Sequence, residues 1–493
     1  MRTEEDGVRT NKSTRISIPL STRVIGGAGV AVLLLLVSLT PASAVAGDFA
    51  FVTTTDYITG NSSVVWIDGP YSHDNNVRAL HSDAVARFYN GLIYVVNRFG
   101  ADNIQILDPQ NGFSTVRQFS VGAGSDPHDI VVLTATKAYV TRYNTNTIWI
   151  VDPSQGIQTG SIDLSGLADA DGRAEIDMMC RVGNRVFVTV QRLDRDTPGW
   201  PRVGQSYVAV IDVATNALVD VNPTTPGVQS ILLTGTNPYS DIQLNPYTGK
   251  LYVACAGKWG LKDGGVEAID PVSLESDGFL FLETAAGGDI MDVEIDRGTH
   301  GYAIMNDASF HTVLISFDAE SGAKTGTLYA PGDYVLLDIE VSPWRELFVS
   351  DRTPTLPGIR VYDVFSNEEI TTAPIDVGLP PSDITFSLPI QTGIGDPPAA
   401  GSVVSLGEAF PNPFNPATTI PFTLARDARV TLRIYDPLGR RVRGLIDEER
   451  PAGPQAVTWD GRDDESRPVP SGIYFVELSA SGTVISRKIA VLK

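Results

Sequence analysis

Between Phe49 and Asp363 the apolar residues come in short runs, and the runs recur in pairs. The first of each pair is an aromatic-rich triplet: FAF at Phe49, IYV at Ile93, AYV at Ala138, VFV at Val186, LYV at Leu251, GYA at Gly301 and LFV at Leu347. The second ends in Asp, at Asp68, Asp108, Asp152, Asp212, Asp270, Asp318 and Asp363. A third run opens with Asp: DAVA at Asp83, DIVV at Asp129, DMMC at Asp177, DIQL at Asp241, DVEI at Asp292, DIEV at Asp338 and DITF at Asp383. Runs this short, rich in β-branched and aromatic residues and bounded by Gly, Pro, Asn and Asp, predict strands. In six copies the leading Asp precedes the aromatic by 10 or 11 residues, with turn signals such as Asn90-Gly91 between them; this spacing predicts a hairpin.

A unit of several short strands returning about every 45–65 residues predicts a β-propeller. The seventh Asp run, at Asp383, has no triplet after it, and the first triplet, at Phe49, has no Asp run before it. Pairing these two ends completes one more blade and leaves no open sheet edge. The predicted class is all-β: a seven-bladed β-propeller over residues 47–387, closed by pairing of its N- and C-terminal strands. Pro and Gly gather in residues 388–407, which read as a linker. Residues 408–493 then give a series of alternating strand signals, from ATTIPFTL to ISRKIAVL, that predicts a small Ig-like β-sandwich.

The first 46 residues have another character. Arg2, Arg9, Lys12, Arg15 and Arg23 precede an apolar core, Val30 to Leu39, and then the small residues Ala42-Ser43-Ala44-Val45-Ala46. That order predicts a signal peptide, 1–46, cleaved after Ala44 or Ala46, and a mature chain with no transmembrane segment. Cys180 and Cys255 are the only cysteines and read as buried thiols rather than a disulfide framework. The net charge of −21 arises in the middle of the chain, where residues 47–407 hold 20 Lys and Arg against 44 Asp and Glu. Such a surface repels phosphate backbones and argues against nucleic acid as a partner.

The seven leading Asp residues are the first candidates for chemistry, since in a propeller they circle one mouth of the central channel. Two roles compete. Four of the triplet strands end in Arg98, Arg142, Arg192 and Arg352, which suggests structural pairs with Asp83, Asp129, Asp177 and Asp338; the residues favour this role. Asp241 and Asp292 have no such Arg, and with Asn306 and Asp307 they make the best oxygen-ligand set for a hard cation such as Ca²⁺. The Asp residues that end the second runs read as turn starters.

Two loops, Gln191–Ser206 and Ala256–Gly265, are long and carry Trp beside bases. Trp200, Arg202, Lys258 and Trp259 are therefore candidates for glycan or peptide recognition, and His128, next to Asp129, is the histidine placed to join them. The five histidines show no metal-ligand spacing, and neither a nucleophile elbow nor an HExxH motif occurs.

Tyr139-Val140-Thr141, Tyr94-Val95-Val96-Asn97 and Tyr252-Val253-Ala254 resemble the repeat of the YVTN/YncE-like seven-bladed propellers, a resemblance covering about residues 48–388. It implies an architecture and little chemistry. The tail resembles the C-terminal sorting domains of type IX (Por) secretion and FlgD-like Ig modules. The residues that carry this are Phe410-Pro-Asn-Pro-Phe-Asn-Pro416, Ile434-Tyr435-Asp436, Leu438-Gly439-Arg440, Trp459-Asp460-Gly461-Arg462 and Ser471-Gly472-Ile473-Tyr474. It implies the type IX machinery as a partner, a Gram-negative-type envelope, and secretion or display at the cell surface. The expected function is a binding or scaffold module. The alternative is a propeller enzyme, a metal-assisted hydrolase, lactonase or lyase with its site at the channel mouth.

Overall fold

The computed structural model describes residues 48–387 and 404–492, apart from 68–69, 246–247, 297–299, 343–344, 365, 408, 413, 415, 425, 437–439, 452 and 481–482. The expected leader, most of the expected linker and Asp68 lie outside the described residues. The fold is all-β and propeller-like in its larger part. Among the described residues, 49–386 form seven separate antiparallel sheets, most of them four-stranded. The first has the order Pro381–Phe386, Phe49–Thr55, Gly60–Trp66, His73–Asp74. Its innermost strand thus comes from the far end of the repeat region, in the register Ala50↔Phe386 and Val52↔Ile384.

The aromatic triplets exist because each sheet must bury both faces. Phe51, Tyr139, Phe187, Tyr302 and Phe348 are all almost fully buried between sheets, and each removes about 150–250 Å² from water. Phe49, Phe51 and Val64 pack against Ile93, Val95 and Leu107 of the next sheet, and similar clusters join each sheet to its successor. Phe348, Ile359 and Val361 of the seventh sheet pack against Ala50, Val52 and Val65 of the first.

The Asp that opens an inner strand is usually accompanied by a break in register. Shifts fall between Pro127 and Ile130, Ile176 and Met179, Ile290 and Asp292, and Leu336 and Ile339. A bulge of this kind turns a side chain away from the face the pleat would give it. Here it aims carboxylates at the neighbouring sheet. Asp129 accepts the Met179 N–H at 2.8 Å, Asp292 that of Ile339 at 2.9 Å, Asp338 that of Ile384 at 2.7 Å, and Asp383 that of Ala86 at 2.8 Å. The Thr of Tyr139-Val140-Thr141 serves the same bulge, its hydroxyl accepting the Asp129 N–H at 2.8 Å. The second Asp set does start turns: Asp152 accepts the Ser154 N–H at 2.9 Å and Asp212 that of Thr215 at 2.8 Å.

Residues 404–492 form two further sheets. One holds Val404–Leu406, Thr418–Leu424 and Gly453–Trp459; the other holds Arg441–Arg450, Ala428–Tyr435, Gly472–Ala480 and Thr483–Val491. They enclose their own core around Trp459, Phe414, Phe422 and Ile434. The Trp459 indole N–H donates to the Arg462 carbonyl at 2.8 Å across a turn in which Gly461 takes φ +65°. A Cβ there would lie 2.9 Å from the Pro416 carbonyl oxygen, so the Trp-Asp-Gly-Arg motif needs its Gly. Both cysteines are free thiols, Cys255 buried and Cys180 half-buried.

Candidate functional site

Two adjoining cavities, of about 620 and 670 Å³, open where the inner strands begin. They share Asp83, Arg98, Phe99 and Tyr239 as common wall. The smaller is acidic, lined also by Asp241, Asp292, Asp338 and Asp383. The larger is aromatic, lined also by Tyr143, Trp200, Trp259 and His128.

The acidic cavity rests on one cation that the repeat does not announce. Arg87, from strand Ala84–Tyr89, lies 2.8 Å from Asp129 and 3.6 Å from Asp383, in two other sheets, and 3.0 Å from Asp241, just before strand Gln243–Leu244 of a third. Of the four expected Asp–Arg pairs only Asp83–Arg98 forms, at 2.6 Å. Arg142 instead stacks on Trp149 and donates to the Val121 carbonyl, Arg192 stacks on Tyr207, and Arg352 donates to the carbonyls of Pro381 and Thr55. The bulges explain the correction. They turn Asp129 and Asp338 toward the next sheet's backbone, out of reach of the Arg on their own hairpins.

Acid outnumbers base behind this mouth. Burial, opposed in part by backbone N–H bonds and reinforced by Asp241 and Asp383, pushes the Asp292 carboxyl up to about 7. Asp383 reaches about 7 as well, chiefly through burial, with Arg87 opposing and Asp241 adding to it. Two residues beyond Asp292 and Asp338 stand Glu294 and Glu340. Burial first, and then the charge of their acidic neighbours, hold both well above the usual carboxylate range. Glu294 is 2% exposed, and its Oε1 has no hydrogen-bond partner among the described residues.

The expected Ca²⁺ set is not assembled. Asp241 and Asp292 reach the acidic cavity, but Asn306 pairs across the ladder with Asp289, three residues before Asp292 and beyond the bulge. Asp307 caps a turn, accepting the N–H groups of Ser309 at 2.7 Å and His311 at 3.0 Å. Among the described residues no three His, Cys, Asp or Glu side chains group so as to hold a metal ion.

The aromatic cavity collects three of the five expected ligand residues. Trp200 is 47% and Trp259 38% exposed. Trp200 stacks on the Arg195 guanidinium at 4.7 Å, and Trp259 meets Tyr239 edge-on at 5.2 Å. His128 lies flat on Tyr143 at 4.0 Å, with Nδ1 2.6 Å from Asp177 and Nε2 3.8 Å from Asp126. Burial works to lower its pKa, but the Asp177 charge and the bonds to Asp126 and Asp177 outweigh it, and the net direction is upward. Arg202 does not line the cavity: it ties the two long loops together by bonding Asp263 at 2.8 Å and Thr236 at 2.7 Å. Lys258 is exposed outside it, with its backbone N–H donating to Asp263 at 2.9 Å.

Sequence reasoning missed Arg87, Phe99, Tyr143, Asn237, Tyr239, Glu294 and Glu340. The D-x-E pattern shared by DVEI and DIEV was a readable sign of the two glutamates. Phe99 sits singly in a turn and Tyr239 singly beside an isolated bridge, where no periodicity marks them.

Residues 414–483 match the FlgD Ig-like domain family. No curated protein matches the chain. The chain is similar to PorZ, described as an essential bacterial surface component of the type-IX secretion system of Porphyromonas gingivalis (14% identity, TM-score 0.40). That match covers 88% of this chain and 64% of PorZ, so the chain spans under two thirds of that protein's length. A putative 6-phosphogluconolactonase from Bacteroides fragilis is also similar, at 14% identity and TM-score 0.48, over 69% of this chain and 98% of the other. So is apo AztD from Citrobacter koseri, at 14% identity and TM-score 0.42, over 69% and 97%.

Proposed function

We propose that the chain is an exported binding module presented at the cell surface or released from it. On this reading residues 1–46 are a cleaved leader, 47–387 a closed seven-bladed propeller of the YVTN/YncE kind, 388–407 a linker, and 408–493 a type IX sorting domain. The FlgD Ig-like match supports the module class of the tail, and the ordered motifs from Phe410 to Tyr474 support its sorting role.

One observation carries the binding role: a cavity of about 670 Å³ walled by half-exposed aromatics on loops that Arg202 and Asp263 tie together. That volume lies in the range of small-molecule and peptide side-chain sites. Aromatic walls on fixed loops supply contact area at low entropic cost. The test is a ligand panel of glycans and peptides against the intact chain and its Trp200→Ala/Trp259→Ala variant. Binding lost in the variant supports the reading; binding kept there refutes it. Deleting 408–493 in a host with type IX secretion tests delivery, and surface display without the tail would refute the sorting role.

A second reading, hydrolysis by a carboxyl acid–base pair, draws on Asp292 and Asp383, both pushed to about 7 by burial and neighbouring charge. It expects turnover of activated esters or lactones that Asp383→Asn abolishes.

A further inference from the structure

The ligand class follows from how the two cavities join. Asp83 is paired with Arg98, while Asp129, Asp241 and Asp383 share the single guanidinium of Arg87. Asp292 and Asp338 receive neutral backbone N–H groups from the next sheet. The acidic cavity therefore holds more carboxyls than basic side chains in a partly desolvated place, and a bound cation is the complement that favours their ionised form. Beside the Asp83–Arg98 pair the shared wall is aromatic: Phe99 stands 72% exposed and Tyr239 40% exposed, and such rings attract cations through their faces. A third observation is independent of charge. Asn237 lines the aromatic cavity and is 4% exposed, yet its Oδ1 has no hydrogen-bond partner among the described residues. A buried acceptor without a donor is costly, and a donor group on a ligand would satisfy it.

We propose that this double cavity binds an organic cation bearing an alkylammonium or guanidinium group, the charged head in the acidic compartment and the body against Phe99, Tyr239 and Trp259. The inference rests on the ligand-binding reading and deepens it. A bare metal ion fits poorly, because among the described residues no three of these carboxyls converge so as to hold one. A neutral sugar would leave the carboxylate excess unanswered. The same head group could arrive on a basic peptide or on a free polyamine.

The test is titration calorimetry of the intact chain with spermidine, with a tri-lysine peptide and with maltotriose. The inference expects a cationic probe to bind, its affinity to fall steeply between low and high salt, and Phe99→Ala to weaken it roughly tenfold. Phe99→Leu, which keeps bulk and removes the ring face, should weaken it similarly with an unchanged thermal midpoint. Stronger binding of spermidine than of the peptide names a free polyamine as the source; the reverse names a peptide side chain. Binding of neither cation, or binding insensitive to both Phe99 variants, overturns the inference. If maltotriose alone binds and Trp200→Ala/Trp259→Ala abolishes it, the binding reading stands and the cation inference fails.

Discussion

The two cavities share a wall but are built from different parts of the chain. The acidic one is lined by residues that the repeat itself supplies: five of the seven leading Asp residues, three of them bonded to the next sheet's backbone. The aromatic one is lined largely by residues where the repeat is interrupted, above all the long loops that carry Trp200 and Trp259. The repeated positions hold the sheets together, and the exceptions supply the aromatic walls. Substitutions that respect this division should separate stability from binding.

The largest expected effect comes from Arg87→Met. It leaves Asp129, Asp241 and Asp383 without their shared cation, and removing one partner from a buried ion group costs about 3–5 kcal/mol. Arg98→Met is the matched control at the mouth. Asp83 there is 38% exposed, and exposed pairs contribute about 0–1 kcal/mol. Urea unfolding of the two variants compares them directly, and equal losses would erase the contrast between the tiers.

Next is the dependence of stability on pH. Asp292 and Asp383 have folded pKa values of about 7, above the unfolded carboxylate value of about 4. The folded chain therefore holds protons that the unfolded chain has lost, and these groups stabilise fully below pH about 4 and progressively less as pH rises through about 7. The main thermal transition should move up by several degrees between pH 8 and pH 5.5. A midpoint that falls over this range would contradict the assignment. A smaller change follows from Glu294→Gln with Glu340→Gln. Removing two carboxyls that burial and neighbouring charge disfavour should raise the midpoint at pH 8, by about 2–4 °C for each kcal/mol gained, and flatten its slope with pH.

Much of this was legible in the sequence, for reasons that also mark its limit. Strands and turns were readable because Phe51, Tyr139 and Phe348 recur at a fixed place and are buried between sheets. The pairing of Pro381–Phe386 with Phe49–Thr55 was readable from two incomplete units. The Trp loops stood out by length. The Asp–Arg pairs did not follow, because adjacency on a hairpin says nothing of a bulge that rotates one partner toward the next sheet. Arg87 was invisible for a related reason: its partners lie in or beside three other sheets, so its role exists only after the sheets assemble. Asn306 and Asp307 looked like ligands by proximity in sequence, whereas the register sets Asn306 against Asp289 and a turn takes up Asp307.

The smallest effect on stability should come from the aromatic cavity. Trp200 and Trp259 are 47% and 38% exposed, so Trp200→Ala and Trp259→Ala should each lower unfolding free energy by about 1 kcal/mol, well below the loss in Arg87→Met. This is where the central claim is most open to test. A thermal-shift panel on the intact chain and on Trp200→Ala/Trp259→Ala should show the two melting within a few degrees of each other without ligand, and only the parent chain shifting upward with its ligand. A variant that keeps the full ligand-induced shift would contradict the claim that the aromatic cavity carries this protein's ligand binding.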